Sequence, residues 1–365
     1  MRKRNIKILV PVVVLSAAGL GAAVSAAGLG SATPSASPES AHVVHPGESI
    51  QKAVDAARSG DTVVVLPGTY RESVLVTTPG LTLRGSGSRT VIRPAEAGTR
   101  ASDACARAGN GICVLGSKDR TVEGVSIDGL TVSGFKKNGV WASWTDRLTV
   151  RGVTSEHNGV WGIAQERSTR GVFARNTARA NGDAGIFVAN TVDEEGGATD
   201  TRGTELRHNT LADNRIGFTA RRVRNLTVRD NTATGNCTGV FVVGDEGKPQ
   251  AGAMTIESNR ITGNNKSCPA TERLSALQGS GIVLTGAADT RVRSNTIRDN
   301  TGETPMSGGI VLFKSFVGTK NTGHTISGNV VLDNKPADLA NGDTAGKNNT
   351  FTDNVCAKST PAGMC

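Results

Sequence analysis

The chain has 365 residues, 37% hydrophobic and 3% aromatic, and 41 Lys and Arg against 32 Asp and Glu give a formal net charge of +9. The charge is spread along the chain and no basic run is interleaved with aromatics, which argues against a nucleic acid as partner. No long 3.6-residue hydrophobic period appears in the repetitive part of the chain, so helical-repeat architectures are set aside.

Residues 1–27 read as a secretory signal peptide: a basic start (Arg2, Lys3, Arg4, Lys7), an apolar run from Ile8 to Leu20, and small residues up to Ala27. The competing reading, an uncleaved anchor, is weakened by Ser16, Gly19 and Gly21 inside the apolar run. Processing would leave a secreted protein, extracellular or associated with the cell wall, with no stable membrane span and expected to be a monomer. Without the four leading cations, 37 basic residues face 32 acidic ones, a net +5. That balance is compatible with an anionic extracellular polysaccharide as partner. Residues 28–42 form a flexible Ser/Pro/Ala-rich linker.

The rest, 43–365, reads as one domain: a cap at 43–60, repeating coils over about 61–355, and a tail at 356–365. Ser49 is the expected N-cap of a short amphipathic helix with Ile50, Ala53, Val54 and Ala57 on one face and Gly60 at its end. Such a helix would cover the open end of a stack, which has no natural closure. Strands are expected at Thr62–Leu66, Ser73–Val76 and Leu81–Arg84, separated by Pro67-Gly68 and Pro79-Gly80.

From Val150 to Asn354 one phrase returns: a short apolar-leaning strand, an Asn, four residues and a second Asn. The pairs are Asn176/Asn181, Asn209/Asn214, Asn231/Asn236, Asn259/Asn264, Asn295/Asn300 and Asn329/Asn334, and Asn354 opens another. Two earlier coils fit the frame with Val153/Asn158 and Leu130/Phe135 in the ladder positions. The shortest spacing, 22 residues, is too short for helix-pair repeats and suits a solenoid of three short strands per turn. The Asn are therefore structural, hydrogen-bonding along a ladder and serving turns. Six Cys in an exported chain imply disulfides. The frame places Cys237 and Cys268 in adjacent coils, Cys105 and Cys113 across a short loop, and Cys356 and Cys365 in the tail.

The cap helix, the stretch "SGDTVVVLPGTYRESV" and the later "GI-V" and "N-T" coils resemble the pectate-lyase-like, right-handed parallel β-helix superfamily over roughly residues 43–356. Within it the chain resembles the secreted β-helix repeat proteins that include the periplasmic copper-centre accessory NosD. The resemblance implies an all-β, single-stranded right-handed parallel β-helix solenoid with an N-terminal capping helix. That superfamily contains lyases, C5-epimerases, hydrolases, adhesins and proteins of unknown role, so the fold does not name an activity. No Asp-Pro-His-Asp stretch, adjacent Asp pair or compact pectate-lyase Ca²⁺ cluster stands on the expected floor, and no His/Met/Cys cluster suits copper.

Coil lengths point to a site. Insertions fall after the Gly-initiated strand (Thr191–Arg202, Asp245–Gly252, Ser315–Gly323) and before it (Lys266–Ser280, Thr301–Ser307), walling a groove over that strand's outer face. Alternation puts Trp141, Glu166, Phe187, Arg221 and Phe241 outward, followed by Trp144, Arg167, Asn190, Arg222 and Lys314. Rings among charges suit a sugar, and Trp141, Trp144, Arg167, Phe187, Asn190, Phe241 and Lys314 are the candidate substrate contacts. Arg221, with Glu166 and Arg222, is the candidate catalytic set for uronate lyase or C5-epimerase chemistry, in which a basic side chain removes the proton beside the carboxylate. Asp193, Glu194 and Asp245 could ligate Ca²⁺. The alternative is a non-catalytic carbohydrate-binding or cell-surface protein.

Overall fold

Short strands with apolar residues at alternate positions stack in register, so each coil contributes one layer to a shared core. In the computed structural model residues 40–365 are described, apart from 97, 100–102, 195 and 273; the signal segment and all but the end of the linker lie outside them. Three parallel sheets of 12, 11 and 11 strands run the length of the described chain. Their inward columns are unbroken. One runs Ile127, Val150, Phe173, Leu206, Val228, Ile256 in the first sheet, and another Val140, Ile163, Ile186, Phe218, Val240, Ile282, Ile310 in the third. All are buried in one continuous core. The architecture is a right-handed parallel β-helix.

Two Asn rows fix the coil-to-coil register. From Asn176 to Asn354, and from Asn158 to Asn334, each Nδ2 donates to the Oδ1 of the Asn one coil on, at 2.8–3.2 Å. The same Oδ1 accepts the backbone N–H of the preceding Asn, and most Nδ2 groups also reach a strand carbonyl, as Asn209 does to Phe173 and Asn236 to Leu211. The earlier coils join the frame through Val153 N–H to Asn176 and Phe135 N–H to Asn158. The second row ends on Asp338, whose carboxylate accepts from both nitrogens of Asn334 and from the backbone of Ala357 and Lys358.

The left-handed turn residue is not the Asn itself but the one before it. Arg175, Ala180, His208, Asp213, Asp230, Ser258, Ser294, Asp299, Asp333 and Asp353 all take φ between +52° and +63°. Non-Gly residues rarely occupy that region. They do so here because the Asn that follows must bring both its main chain and its amide to the next coil.

At the N-terminus the helix Ile50–Ala56 buries Ile50 and Val54 against the first coil. Ser49 caps it, accepting from Lys52 N–H, and Glu72 from the next turn accepts from Ser49 Oγ and the amides of Ile50 and Gln51. The helix ends at Ala56, where Ala57 turns extended, rather than at Gly60. The strand Ala41–Val44 begins within the expected linker because it pairs in parallel with Thr62–Val65. The strands Gly68–Arg71 and Thr90–Arg93 and the helix Ala104–Ala108 were not legible as elements, being short and flanked by turn residues. Three disulfides join Cys105 to Cys113, Cys237 to Cys268 and Cys356 to Cys365.

Replacing Asn236 with Ala strips partners from buried groups on the two flanking coils: the Asn214 amide and side chain and the Leu211 carbonyl on one, and Asn264 Oδ1 on the other. Denaturant unfolding should show a loss of about 3 kcal/mol or more. Asn354→Ala, at the last rung and only partly buried, should cost well under half as much.

His324 is fully buried, and its Nδ1 accepts from Thr290 N–H. Burial pushes its pKa down to about 4 from 6.5. The unfolded chain therefore binds a proton that the fold excludes, so stability present above pH 6.5 is lost as pH falls towards 4. His324→Asn, which keeps an acceptor, should flatten that part of a curve of unfolding free energy against pH by up to about 3 kcal/mol.

Candidate functional site

The outer face of the third sheet is not solvent-exposed floor. Ala164, Phe187, Phe241, Val283 and Val311 point away from the main core as the alternation requires. They form a second buried cluster with Trp161, Ile216, Leu277, Met306 and the Cys237–Cys268 disulfide. The inserted loops cover this face and leave a cavity of about 940 Å³ over the strands Ala184–Ala189, Ile216–Arg221, Thr238–Val243 and Ser280–Thr285.

Three arginines hold those walls. Arg215 Nη1 donates to Pro269 O at 2.7 Å and Nη2 to Ser275 O at 3.3 Å, fastening the disulfide loop. Arg221 Nη1 donates to the carbonyls of Thr191 and Val192, at 3.2 and 3.3 Å. Arg222 Nη1 reaches Glu194 O at 3.2 Å, and its Nε pairs with the Asp245 carboxylate. Fixed guanidinium forks can satisfy several acceptors at once, which suits them to anchoring loops.

Of the expected site residues, Arg221, Arg222, Phe187, Phe241, Asp193, Glu194 and Asp245 line the cavity. The two Phe contribute only edges, being 5% and 3% exposed. Glu166 is displaced from the expected catalytic set: it is buried, accepts from Ser143 Oγ and Val192 N–H at 3.0 Å each, and does not line the cavity. Asn190 is also buried, and donates to the carbonyls of Gly196 and Gly197 inside its own loop. Arg167 lies over the Trp144 ring, 5.6 Å from its centroid, and pairs with Glu194 at 3.1 Å. Trp141 stacks on Trp161 behind the cavity, and Lys314 is exposed outside it. These six, Trp144 included, therefore support or flank the wall rather than face its interior.

Residues one and two places before the Gly of each coil, which the outward pattern did not include, supply the missing groups. Trp161 stacks between Trp141 and Phe187, with centroids at 5.8 and 4.1 Å. Its Nε1–H donates to Asp183 Oδ2 at 2.9 Å, and Arg215 Nε lies 4.0 Å from Asp183 Oδ1. Asp183 keeps 39% of its side chain exposed, and partial desolvation raises its pKa above the usual carboxylate value, against the pull of Trp161 and Arg215. Thr219 and Thr285 add hydroxyls, and the exposed Phe316 and Val317 stand at the rim. Extending the alternation back through the Gly would have exposed the Asp183–Arg215 column.

The acidic loops do not fit Ca²⁺. Glu194 pairs with Arg167 and Asp245 with Arg222, so cations already occupy their carboxylates. Among the described residues no three His, Cys, Asp or Glu converge to hold a metal, copper included.

Two family profiles match the chain: "Right handed beta helix region" over residues 80–252 and "Periplasmic copper-binding protein (NosD)" over residues 194–362. No curated protein sequence matches. Among solved structures, the A-module of a mannuronan C-5 epimerase from Azotobacter vinelandii is similar at 20% identity and TM-score 0.57, over 84% of this chain and 88% of that one. The DFA-IIIase of Arthrobacter chlorophenolicus A6 aligns at 13% identity and TM-score 0.56, over 89% and 84%. The Dettilon tailspike protein aligns at 11% identity and TM-score 0.52, over 86% and 68%. At such identities these likenesses concern the fold, and with the continuous three-sheet stack they show a right-handed parallel β-helix.

Proposed function

We propose that the protein is a secreted carbohydrate-active protein that takes part of an extracellular polysaccharide into the loop-walled cavity. The observation that carries this reading is Asp183: one carboxyl of raised pKa among rings and apolar walls, held by Trp161 and beside Arg215. Concave, largely apolar clefts with few convergent polar groups are the usual form of ligand sites. A carboxyl whose pKa is raised by partial desolvation is suited to take up and return a proton.

The finer reading is uronate chemistry, as β-elimination or C5-epimerisation. In elimination the C5 proton leaves to a base, the C4–O bond breaks and a C4–C5 double bond forms. In epimerisation the proton leaves to the base on one face and a different one is delivered from water on the opposite face. Asp183 would exchange that proton, and the positive charge of Arg215 and Arg221 would oppose the build-up of charge on the uronate carboxylate. Arg221 is thus recast from base to loop anchor and electrostatic partner, because its guanidinium already donates to Thr191 and Val192. The second reading, a binder without catalysis, is favoured by the engagement of Arg215, Arg221 and Arg222 in wall contacts.

The test is to incubate the protein with polygalacturonate, alginate and hyaluronate, following ultraviolet absorbance for unsaturated products and NMR for epimerised ones. Asp183→Asn should reduce turnover at least about 100-fold while glycan retention persists. The wild-type rate should fall with acidification through an apparent pKa above the ordinary Asp value of about 4. Retention without turnover in the wild type would select the binder. Neither turnover nor retention on any glycan would sink the proposal.

Arg221→Ala separates anchoring from chemistry. It should weaken glycan retention and speed proteolysis near Thr191, with a smaller effect on kcat than Asp183→Asn. Loss of kcat with affinity and protease resistance unchanged would restore Arg221 as a direct participant.

A further inference from the structure

On the first sheet the strands Thr82–Arg84, Ser126–Asp128 and Thr149–Arg151 place Arg84, Asp128 and Arg151 side by side in register. Each runs directly into a glycine: Gly85, Gly129 or Gly152. At Gly129 and Gly152, both of positive φ, an added Cβ would meet its nearest atoms at 3.7 and 3.9 Å, so no neighbouring side chain fills the surface above the row. The result is a notch of about 340 Å³ bounded by these residues and by Arg175, which stands where the next coil replaces Gly with Arg.

The charges around this notch do not balance. Asp128 serves two of the arginines, at 3.3 Å from Arg151 Nε and 3.9 Å from Arg84 Nη2. Arg175 is exposed and has no acidic partner among the described residues. Three guanidiniums against one carboxylate leave a surplus of two positive charges. Farther along the same register row the arginines are paired. Arg207 and Arg229 share Glu205, with Asp230 also on Arg229, and Arg293 pairs with Glu257.

We propose that the notch is an anion-binding site that seats a carboxylate or sulfate group of an acidic polysaccharide. It lies on the first sheet, whereas the cavity with Asp183 lies on the third. Guanidinium forks converging from adjacent coils match the oxygens of such a group and bind it through charge-assisted hydrogen bonds. Thr82, Ser126 and Thr149 lie in register beside the arginine row, two residues before it on each strand, and offer partners for sugar hydroxyls. Coils about 4.8 Å apart give a chain of sugars a repeating surface to follow. No outward residue of these three strands is aromatic, so bases would find no stacking platform. The inference is independent of the chemistry assigned to Asp183.

The experiment measures binding of labelled polygalacturonate, dextran sulfate and neutral dextran to the processed protein over a range of NaCl. Both acidic polymers should bind, more weakly as salt rises, and neutral dextran should not bind at the notch. The double variant Arg151→Ala/Arg175→Ala should weaken acidic-polymer binding at least about tenfold. Asp128→Asn, which enlarges the surplus, should tighten it, a result that a merely structural role for this row would not produce. Asp183→Asn should leave notch binding intact, so a failure of the cavity proposal stays distinguishable from a failure of this one. Equal binding by the wild type and the folded double variant would overturn the site. Inorganic sulfate matching the polymers on a per-charge basis, or single-stranded DNA binding as tightly with the same arginine dependence, would overturn the polysaccharide assignment.

Discussion

The molecule depends on the hydrogen bond from one asparagine side chain to the asparagine one coil away. A three-stranded coil buries too few apolar residues to stand alone, and stacking supplies the missing contacts only if successive coils stay in register. The Asn rows hold that register at two of the corners. Each amide satisfies a backbone N–H, a neighbouring side chain and, in most rungs, a strand carbonyl, so the corners carry few idle polar groups. Removing one rung uncovers groups on its neighbours, which makes the network expensive to break.

With the corners fixed, loop length is free to vary. The spacing between first Asn positions changes from 22 to 36 residues without disturbing the inward columns. The extra residues collect over the third sheet, where Arg215, Arg221 and Arg222 fasten three loop segments by their backbone carbonyls or carboxylates. An outer sheet face, otherwise wet, becomes the floor of a cavity with Asp183 in its wall. The same charge type serves differently on the first sheet, where three arginines surround one carboxylate at the glycine-lined notch.

The fold was legible because period and chemistry agreed. Val153 and Phe135 could be placed in the ladder frame before any Asn appears at those positions, and the structure has their amides bonded to Asn176 and Asn158. The inward residues followed from alternation alone. The site was less legible, and for a physical reason: alternation tells which way a side chain points, not what covers it. Glu166 points outward and is nevertheless buried beneath the loop that carries Val192. Phe187 and Phe241 likewise became packing for loops whose paths no local pattern specifies. Asp183 and Arg215 escaped notice because they precede the Gly from which the outward positions were counted. Their pairing depends on two coils meeting, a tertiary fact.

The second Asn row has a direction. Every Nδ2 points towards the following coil and every Oδ1 towards the preceding one, so the amide dipoles add up along the axis with their positive end at the last rung. There the sequence exchanges amide for acid. Asp338 accepts from both nitrogens of Asn334 and has no amide hydrogen with which to recruit a further Asn. Its other oxygen gathers the backbone amides of Ala357 and Lys358 instead. One substitution of oxygen for nitrogen therefore completes the polar chain, places an anion against the aligned dipoles and hands the register over to the closing segment. In this solenoid the end of a repeat is written as a change of hydrogen-bonding capacity.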